Sequence, residues 1–519
     1  MKKFLIYLLA LPLFVTLLNS CSSNSGTDIL PEDALLVMSV DVKNTLASAG
    51  DDMNKELNSS IKDYIGYMEL SRTDEDKLCE IVDNPMSSGI DLTKPIYLTT
   101  DEDENMIITG VVKNIKDLEE MLDPLVSICD TRIKDISSDI KYINIGDAMM
   151  MMFNNTYFAI RTMSYYDEED DVIDEMQNMF TQKTSFTNTK SYQNLQAENG
   201  LIKMVVTPEI YKTEIYDDFI DDIDDIYYES GIDFSEYYKI MKDAITTLAF
   251  NTQNGKASIV ANVDYITEEA KMKMEEYLSV IGNIDGTHLP YVEDNAIFTI
   301  ATNFNGNKLW NLISDLLEDL DIFSNSELVE IENIIKSFDG DITLTADSKL
   351  LYIDYEAVPE IKLYAATKDN GVVNTVSELA EEIFDVEKNG ENEWIASIED
   401  YYSDEEIGYM TLGYDKNTSY FLLKEKKTKA LETADNQTSK SLYTGNNLSA
   451  RFNVPAFLDT KIDGDKISSL IKEEDPTVYK AVSSIEYIDF VVKGNRSTYT
   501  MTTVEKDRNP IELFLDMFI

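Results

Sequence analysis

Nucleophilic catalysis needs a base beside a Ser, Cys or Thr, and this 519-residue chain offers one histidine, His288. It stands beside Leu289-Pro290 in a turn-like stretch, so it is expected to be a surface or packing residue outside any triad. Ser59-Ser60-Ile61-Lys62 and Ser469-Leu470-Ile471-Lys472 both match S-x-x-K, but no S-D-N or K-T-G companion follows. No H-E-x-x-H, paired C-x-x-C or histidine cluster is present to hold zinc, and no glycine-rich phosphate loop or G-x-S-x-G elbow occurs. Carboxylates remain. Two acids about 5–10 Å apart can cleave a glycosidic bond, yet among 97 Asp and Glu residues such pairs arise everywhere and decide nothing. Sugar platforms are scarce: Trp310 reads as core with Leu309, Leu312 and Ile313, and Trp394 stands alone. The acidic runs at 167–171 and 217–225 lack the glycine and final glutamate of an EF-hand loop. In the second run Phe219, Ile220, Ile223, Ile226 and Tyr227 recur at helical spacing, which reads as a solvated acidic helix face. Weak, loosely placed divalent cations are the most these runs would hold. The expectation is a non-enzyme with no catalytic residue, no resident metal and no cofactor.

The charge balance excludes further classes. Lys and Arg number 44 against the 97 acids, so the net charge is −53. Such a surface repels a nucleic-acid backbone and an anionic lipid headgroup alike. The chain is 43% hydrophobic and 10% aromatic, enough to build cores, so acidity does not mean disorder here. Met149-Met150-Met151-Met152-Phe153 reads as a buried strand, because methionine fills irregular gaps. The 30 tyrosines are read as bridging core and water, with a ligand groove as the alternative.

Membrane attachment is legible all the same. Lys2 and Lys3 precede an uncharged run at 4–18, shorter than the roughly 20 residues of a membrane span and fitting a secretory signal peptide. Leu18-Asn19-Ser20-Cys21 then matches the recognition pattern of lipoprotein signal peptidase. That match implies removal of residues 1–20 and lipidation of Cys21, an anchor of several acyl chains at about 0.8 kcal/mol per buried methylene. Residues 21–27 are small and polar and read as a flexible tether. Cys79 and Cys129 are left in an oxidising compartment, so a disulfide between them is allowed; both sit in apolar helical patterns, and two separate buried thiols are the favoured reading.

The elements repeat in order. Ala34-Leu35-Leu36-Val37-Met38-Ser39-Val40-Asp41 resembles Ala296-Ile297-Phe298-Thr299-Ile300-Ala301-Thr302-Asn303, each strand leading into a helix. A strand pair from Asp91 to Thr109 corresponds to one from Asp341 to Ala365, with helices at 115–125 and 373–384 after them. Asn155-Thr156-Tyr157-Phe158 matches Asn417-Thr418-Ser419-Tyr420-Phe421, and Val206-Thr207-Pro208 matches Asn453-Val454-Pro455. Hairpins at Asn254-Gly255 and Gly494-Asn495 follow, each with a helix behind it, at 267–281 and 510–519. Two homologous repeats are therefore expected, at 28–283 and 287–519, each an α+β unit with an antiparallel sheet flanked by helices.

At these residues the chain resembles a family of uncharacterised two-repeat lipoproteins of Bacteroidetes. The carrying features are Leu18-Asn19-Ser20-Cys21 and Ile29-Leu30-Pro31-Glu32-Asp33-Ala34 leading into Val37-Met38-Ser39-Val40-Asp41-Val42-Lys43. The resemblance brings a domain of unknown function and no catalytic residues. The anchor, the duplication and the lack of a nucleophile or metal constellation point instead to a non-enzymatic outer-membrane protein, bound to the membrane through Cys21, that binds or scaffolds an envelope protein or glycan. A carrier for glycans or hydrophobic ligands is the alternative, and a carboxylate hydrolase the third reading. Acidic residues begin only at Asp28, which favours the periplasmic face over the cell surface. Protease added to intact cells should therefore leave the protein uncut, and should degrade it once the outer membrane is permeabilised.

Overall fold

Alternation of side chains along the backbone organises most of the chain, and the computed structural model shows where each face goes. It describes residues 25–67, 70–100, 105–146, 148–164, 167–213, 235–319, 324–353, 356–381, 384–399, 406–428, 431, 433 and 440–518. Cys21 and the acidic run at 217–225 lie outside the described residues.

The first half supplies β1 (Leu36–Val40), β2 (Ile96–Thr100), β3 (Met106–Val111), β4 (Lys134–Asp135), β5 (Lys141–Ile145), β6 (Met149–Phe153), β7 (Tyr157–Thr162), β8 (Ile202–Val206), β9 (Ala244–Gln253) and β10 (Lys256–Tyr265). Among them run α1 (Val42–Ala49), α2 (Asp51–Gly66), α3 (Arg72–Asp83), α4 (Ile115–Cys129), α5 (Glu169–Thr181), α6 (Lys190–Ala197), α7 (Ser235–Met241) and α8 (Glu268–Leu278). Both faces of this sheet are covered. Leu118 and Leu122 of α4, with Ile81 of α3, pack on Ile108, Met151 and Phe158. Val172, Met176 and Met179 of α5 pack on Met150 and Met152 from the other side. All five residues of β6 are buried for that reason, as the methionine run suggested. Gly89 fixes how α4 seats: its φ is +80°, and a Cβ there would lie 2.2 Å from the backbone nitrogen of Leu118.

The second half supplies β11 (Phe298–Asn305), β12 (Phe338–Ile353), β13 (Glu356–Thr367), β14 (Val386–Lys388), β15 (Glu393–Glu399), β16 (Glu406–Asp415), β17 (Thr418–Lys424), β18 (Leu448–Asn453), a separate two-strand ribbon of β19 (Lys461–Ile462) and β20 (Asp465–Lys466), then β21 (Ile485–Lys493) and β22 (Arg496–Thr503). Its helices are α9 (Gly306–Asp319), α10 (Asn325–Ser337), α11 (Gly371–Glu381), α12 (Lys440–Tyr443), α13 (Val454–Asp459), α14 (Ile467–Glu474), α15 (Pro476–Ser483) and α16 (Pro510–Phe518).

Twenty of these strands form one sheet, and every pairing among the described residues is antiparallel. The order is β4-β5-β6-β7-β3-β2-β1-β8-β9-β10, then β22-β21-β18-β11-β12-β13-β17-β16-β15-β14. Counted inward from either end, the second series runs in the same relative order as the first. The five correspondences read in the sequence fall on strands at mirrored places: β1 with β11, β2–β3 with β12–β13, β7 with β17, β8 with β18, and β9–β10 with β21–β22.

One expectation needs correction, and one alternative is decided. The tether of 21–27 is shorter within its described part, because Gly26–Ile29 is a 3-10 turn. Ser25 caps it, Thr27 and Ile29 are buried, and the Thr109 hydroxyl donates to the carbonyl of Gly26 at 3.0 Å. The allowed disulfide is not formed: Cys79 and Cys129 are free. Cys79 packs with the α2–α3 cluster, whereas Cys129 leans on the main core under α4, so each thiol serves as a small hydrophobe in a different cluster. Truncating the α4 anchor by Leu118→Ala, at a fully buried position, should cost about 2–5 kcal/mol in a urea titration.

Candidate functional site

The two series of strands meet at β10 and β22, which pair over seven positions from Lys256↔Thr502 to Asn262↔Arg496. Side chains lock the seam. Arg496 donates to both oxygens of Glu198, at 2.6 and 2.9 Å, and the Glu198 side chain is only 8% exposed. Asn495 donates to the carbonyl of Val263 at 2.6 Å. A bidentate guanidinium–carboxylate pair fixes geometry as well as charge.

The last helix of the second half crosses this seam. α16 lies on β9 and against α1 and α2, and buries Leu513. Gly50, at φ +85°, lets it approach, since a Cβ there would stand 3.0 Å from Cγ of Glu512. α8 follows β10 as α16 follows β22, and is started by the Thr267 hydroxyl, which accepts from the Ala270 N–H at 3.3 Å. Lys271, Met274, Glu275 and Leu278 follow at the spacing of one helical face. α8 packs chiefly on α7 and β10, and a cavity of about 620 Å³ opens where its face looks across to Leu448 of β18 and Val492 of β21. Asp264, Tyr265, Ser279, Ile281, Asn447, Gly494 and Asn495 complete the lining.

The polar groups of this pocket mostly build its frame. Asn447 donates to the carbonyls of Ile281 and Gly282 at 3.2 and 3.1 Å and accepts from the Gly494 N–H at 2.7 Å. Ser279 donates to the carbonyl of Glu276. Burial works to raise the Asp264 pKa, but hydrogen bonds from the Tyr265 N–H, Lys190 and Asn194 outweigh it and hold the carboxyl below its ordinary value. Lys271 and Glu275 remain at the exposed rim. Met274, Leu278, Ile281, Leu448 and Val492 give the cavity an apolar lining with a few polar groups around it, an arrangement suited to binding.

The other face of the sheet carries buried ions. Asp341, Thr343, Thr345 and Asp347 alternate along β12 and are all buried. Lys362 of β13 is 5% exposed and pairs with Asp347 at 2.8 Å and Glu293 at 2.7 Å. Desolvation pushes the Asp347 pKa up against the pull of Lys362. In the first half the buried cation is Arg161 of β7, 4% exposed, paired with Asp167 at 2.8 Å and Glu175 at 3.2 Å. Asp341 holds the junction between the halves, accepting from the backbone N–H groups of Asp285, Gly286 and Thr287 at 3.0, 2.7 and 2.8 Å and from the Asn303 amide at 2.9 Å.

His288 lies under that junction, fully buried, with its ring 5.9 Å from the Tyr364 ring. It is a packing residue. Its two ring nitrogens meet no partner among the described residues. Burial pushes its pKa down to about 4, with Asp341 opposing.

The other residues singled out in the sequence scatter. Asp167 and Glu169 of the first acidic run serve Arg161 and Lys134, and no group of three or more metal-ligating side chains occurs among the described residues. Lys62 pairs with Asp83, and Lys472 lies over the Tyr479 ring. Trp310 is buried and Trp394 packs with Leu412. Sequence reading missed the seam pocket. Its one local signal is the spacing on α8; the rest of the lining comes from distant segments.

A family model described as a domain of unknown function (DUF4836) matches residues 26–503. No curated protein matches the chain. Two solved crystal forms, I and III, of a protein titled TP0453 align at 7% and 8% identity, covering 50% and 51% of this chain and 89% and 90% of theirs, with TM-scores of 0.26 and 0.27.

The buried ring of His288 makes the fold sensitive to acid. Its folded pKa is depressed, so the fold requires the neutral ring, and stability is lost as pH falls from the unfolded value near 6.5 towards 4. The loss from this residue should approach about 3 kcal/mol. His288→Leu should remove that contribution, leaving urea midpoints at pH 7 no lower than wild type and clearly higher at pH 4.5.

Proposed function

Because the chain belongs to the DUF4836 family, which carries no assigned activity, we propose its function from its geometry: a non-enzymatic, lipid-anchored envelope protein that binds an apolar ligand in the pocket at the seam. The cavity of about 620 Å³ beneath α8 carries this reading. Its size falls within the range of small-molecule sites, roughly 300–1,000 Å³, and Met274, Leu278, Ile281, Leu448 and Val492 supply an apolar lining with few polar groups. A glycan site would favour stacked aromatic rings, and Tyr265 is the single aromatic residue of the lining. The carrier reading is therefore preferred to a scaffold or a glycan platform.

The two halves, 28–283 and 287–519, are read as products of a duplication. Support comes from the mirrored strand order and from sequence correspondences that fall on mirrored strands. On this reading the pocket belongs to neither copy. It exists because one crossing helix, α16, seats closely while its counterpart α8 stands off. The anchor rests on Leu18-Asn19-Ser20-Cys21, with the periplasmic face of the outer membrane as the proposed location.

Binding is testable with an apolar naphthylamine dye that fluoresces when shielded from water. Wild type should bind it at micromolar concentration, and Leu448→Trp, which puts an indole into the cavity, should weaken binding at least tenfold with an unchanged melting temperature. Dye binding that the folded Leu448→Trp variant retains in full would place the ligand elsewhere.

A further inference from the structure

The seam pocket does not end at its lining. Phe250, Ile259, Tyr499 and Phe490 stand directly opposite one another on β9, β10, β22 and β21, one row across the middle of the sheet. They lie on the same face as the pocket, because Val492 belongs to both: it is two residues from Phe490 and lines the cavity. Ile259 is 46% and Tyr499 49% exposed, and the Tyr499 ring stacks on Phe490 at 4.4 Å. Met501 and Ile488 pair with each other one step farther along, and Ile488 is 42% exposed. No residue of this floor is charged, in a chain that is 27% Asp, Glu, Lys and Arg.

We propose that this floor and the seam pocket form one continuous site for a single-chain, zwitterionic amphiphile, with its tail along β10–β22 and its head at the α8 rim. The proposal rests on the reading of the pocket as a ligand site and names the ligand class. Three observations select this occupant. From Val492 to Ile488 the floor runs four residues, about 14 Å at 3.4 Å per residue, close to the roughly 15 Å of hydrocarbon in one membrane leaflet. The roofed cavity at one end admits a chain terminus or a compact group, which the flat face of a folded partner cannot supply. At the rim Lys271 and Glu275 offer one cation and one anion within a helical turn, whereas the net charge of −53 works against an anionic head.

Lysophosphatidylcholines of increasing chain length, titrated below their micelle concentrations into the full-length protein, test the proposal. Affinity should rise about fourfold per added methylene until the floor is filled, and then level off. Ile259→Glu should abolish the gain with length while leaving dye binding in the pocket and the melting temperature unchanged. Fatty acids of equal length should bind more weakly than the zwitterionic series. Dye binding without any dependence on chain length would overturn the trough and leave the pocket reading standing; absence of both would overturn the two together. Concentration-dependent dimerisation abolished by Ile259→Glu would instead show the floor to be a contact between copies.

Discussion

Pairing of β10 with β22 is the constraint from which the rest of the structure follows. Each is a long strand that would otherwise present a row of unpaired N–H and C=O groups at the edge of its own sheet, a hazard for aggregation. Set against each other, the two edges vanish and two ten-strand arrays become one sheet. What remains at the outer ends is short: β4 has two residues and β14 three. The crossing helix α16, the Arg496–Glu198 clamp and the pocket under α8 all exist only because this ladder brings their parts together.

The two faces of the sheet are stabilised differently. The α4-covered face of the first half is an apolar core of the usual kind, with Leu118, Met151 and Phe158 at its centre. The opposite face in the second half buries Asp341, Asp347, Glu360 and Lys362 beneath the junction. Buried ion pairs add little net stability after desolvation, but deleting one partner strands the other charge. They are well suited to holding register and a connection. Asp341 does so directly, since three consecutive N–H groups of the junction converge on its carboxylate. The buried cation sits on different strands in the two halves, Arg161 on β7 and Lys362 on β13. If the halves arose by duplication, the ionic layer has been rebuilt in each.

Local patterns were the readable part of the sequence. Strand alternation, helix starts and hairpin turns depend on near neighbours, and β1, β6, β9–β10, α4 and α9 lie where those patterns put them. Helix ends were less accurate: the helix expected at 115–125 runs on to Cys129. The tether failed because flexible composition says nothing about the Tyr97 and Thr109 side chains that hold Ser25 and Gly26. The cysteines pack as their apolar helical surroundings indicated: an even count allows a bridge but does not bring two helices' thiols together. His288 was left between surface and packing, and its full burial depends on a junction tied down by an aspartate more than fifty residues away.

By itself, then, the amino-acid sequence determined the acidic character of the surface, the order of strands and helices, and the membership in an uncharacterised family. These are properties of composition and short-range pattern. Tertiary structure alone decided that the strands would join into a single sheet through β10 and β22, and that the crossing helix α16 would seat while α8 leaves a cavity. The lining residues of that cavity run from Asp264 to Asn495. No local signal links such positions, because their proximity is created by a backbone ladder whose hydrogen bonds are the same for almost any side chain.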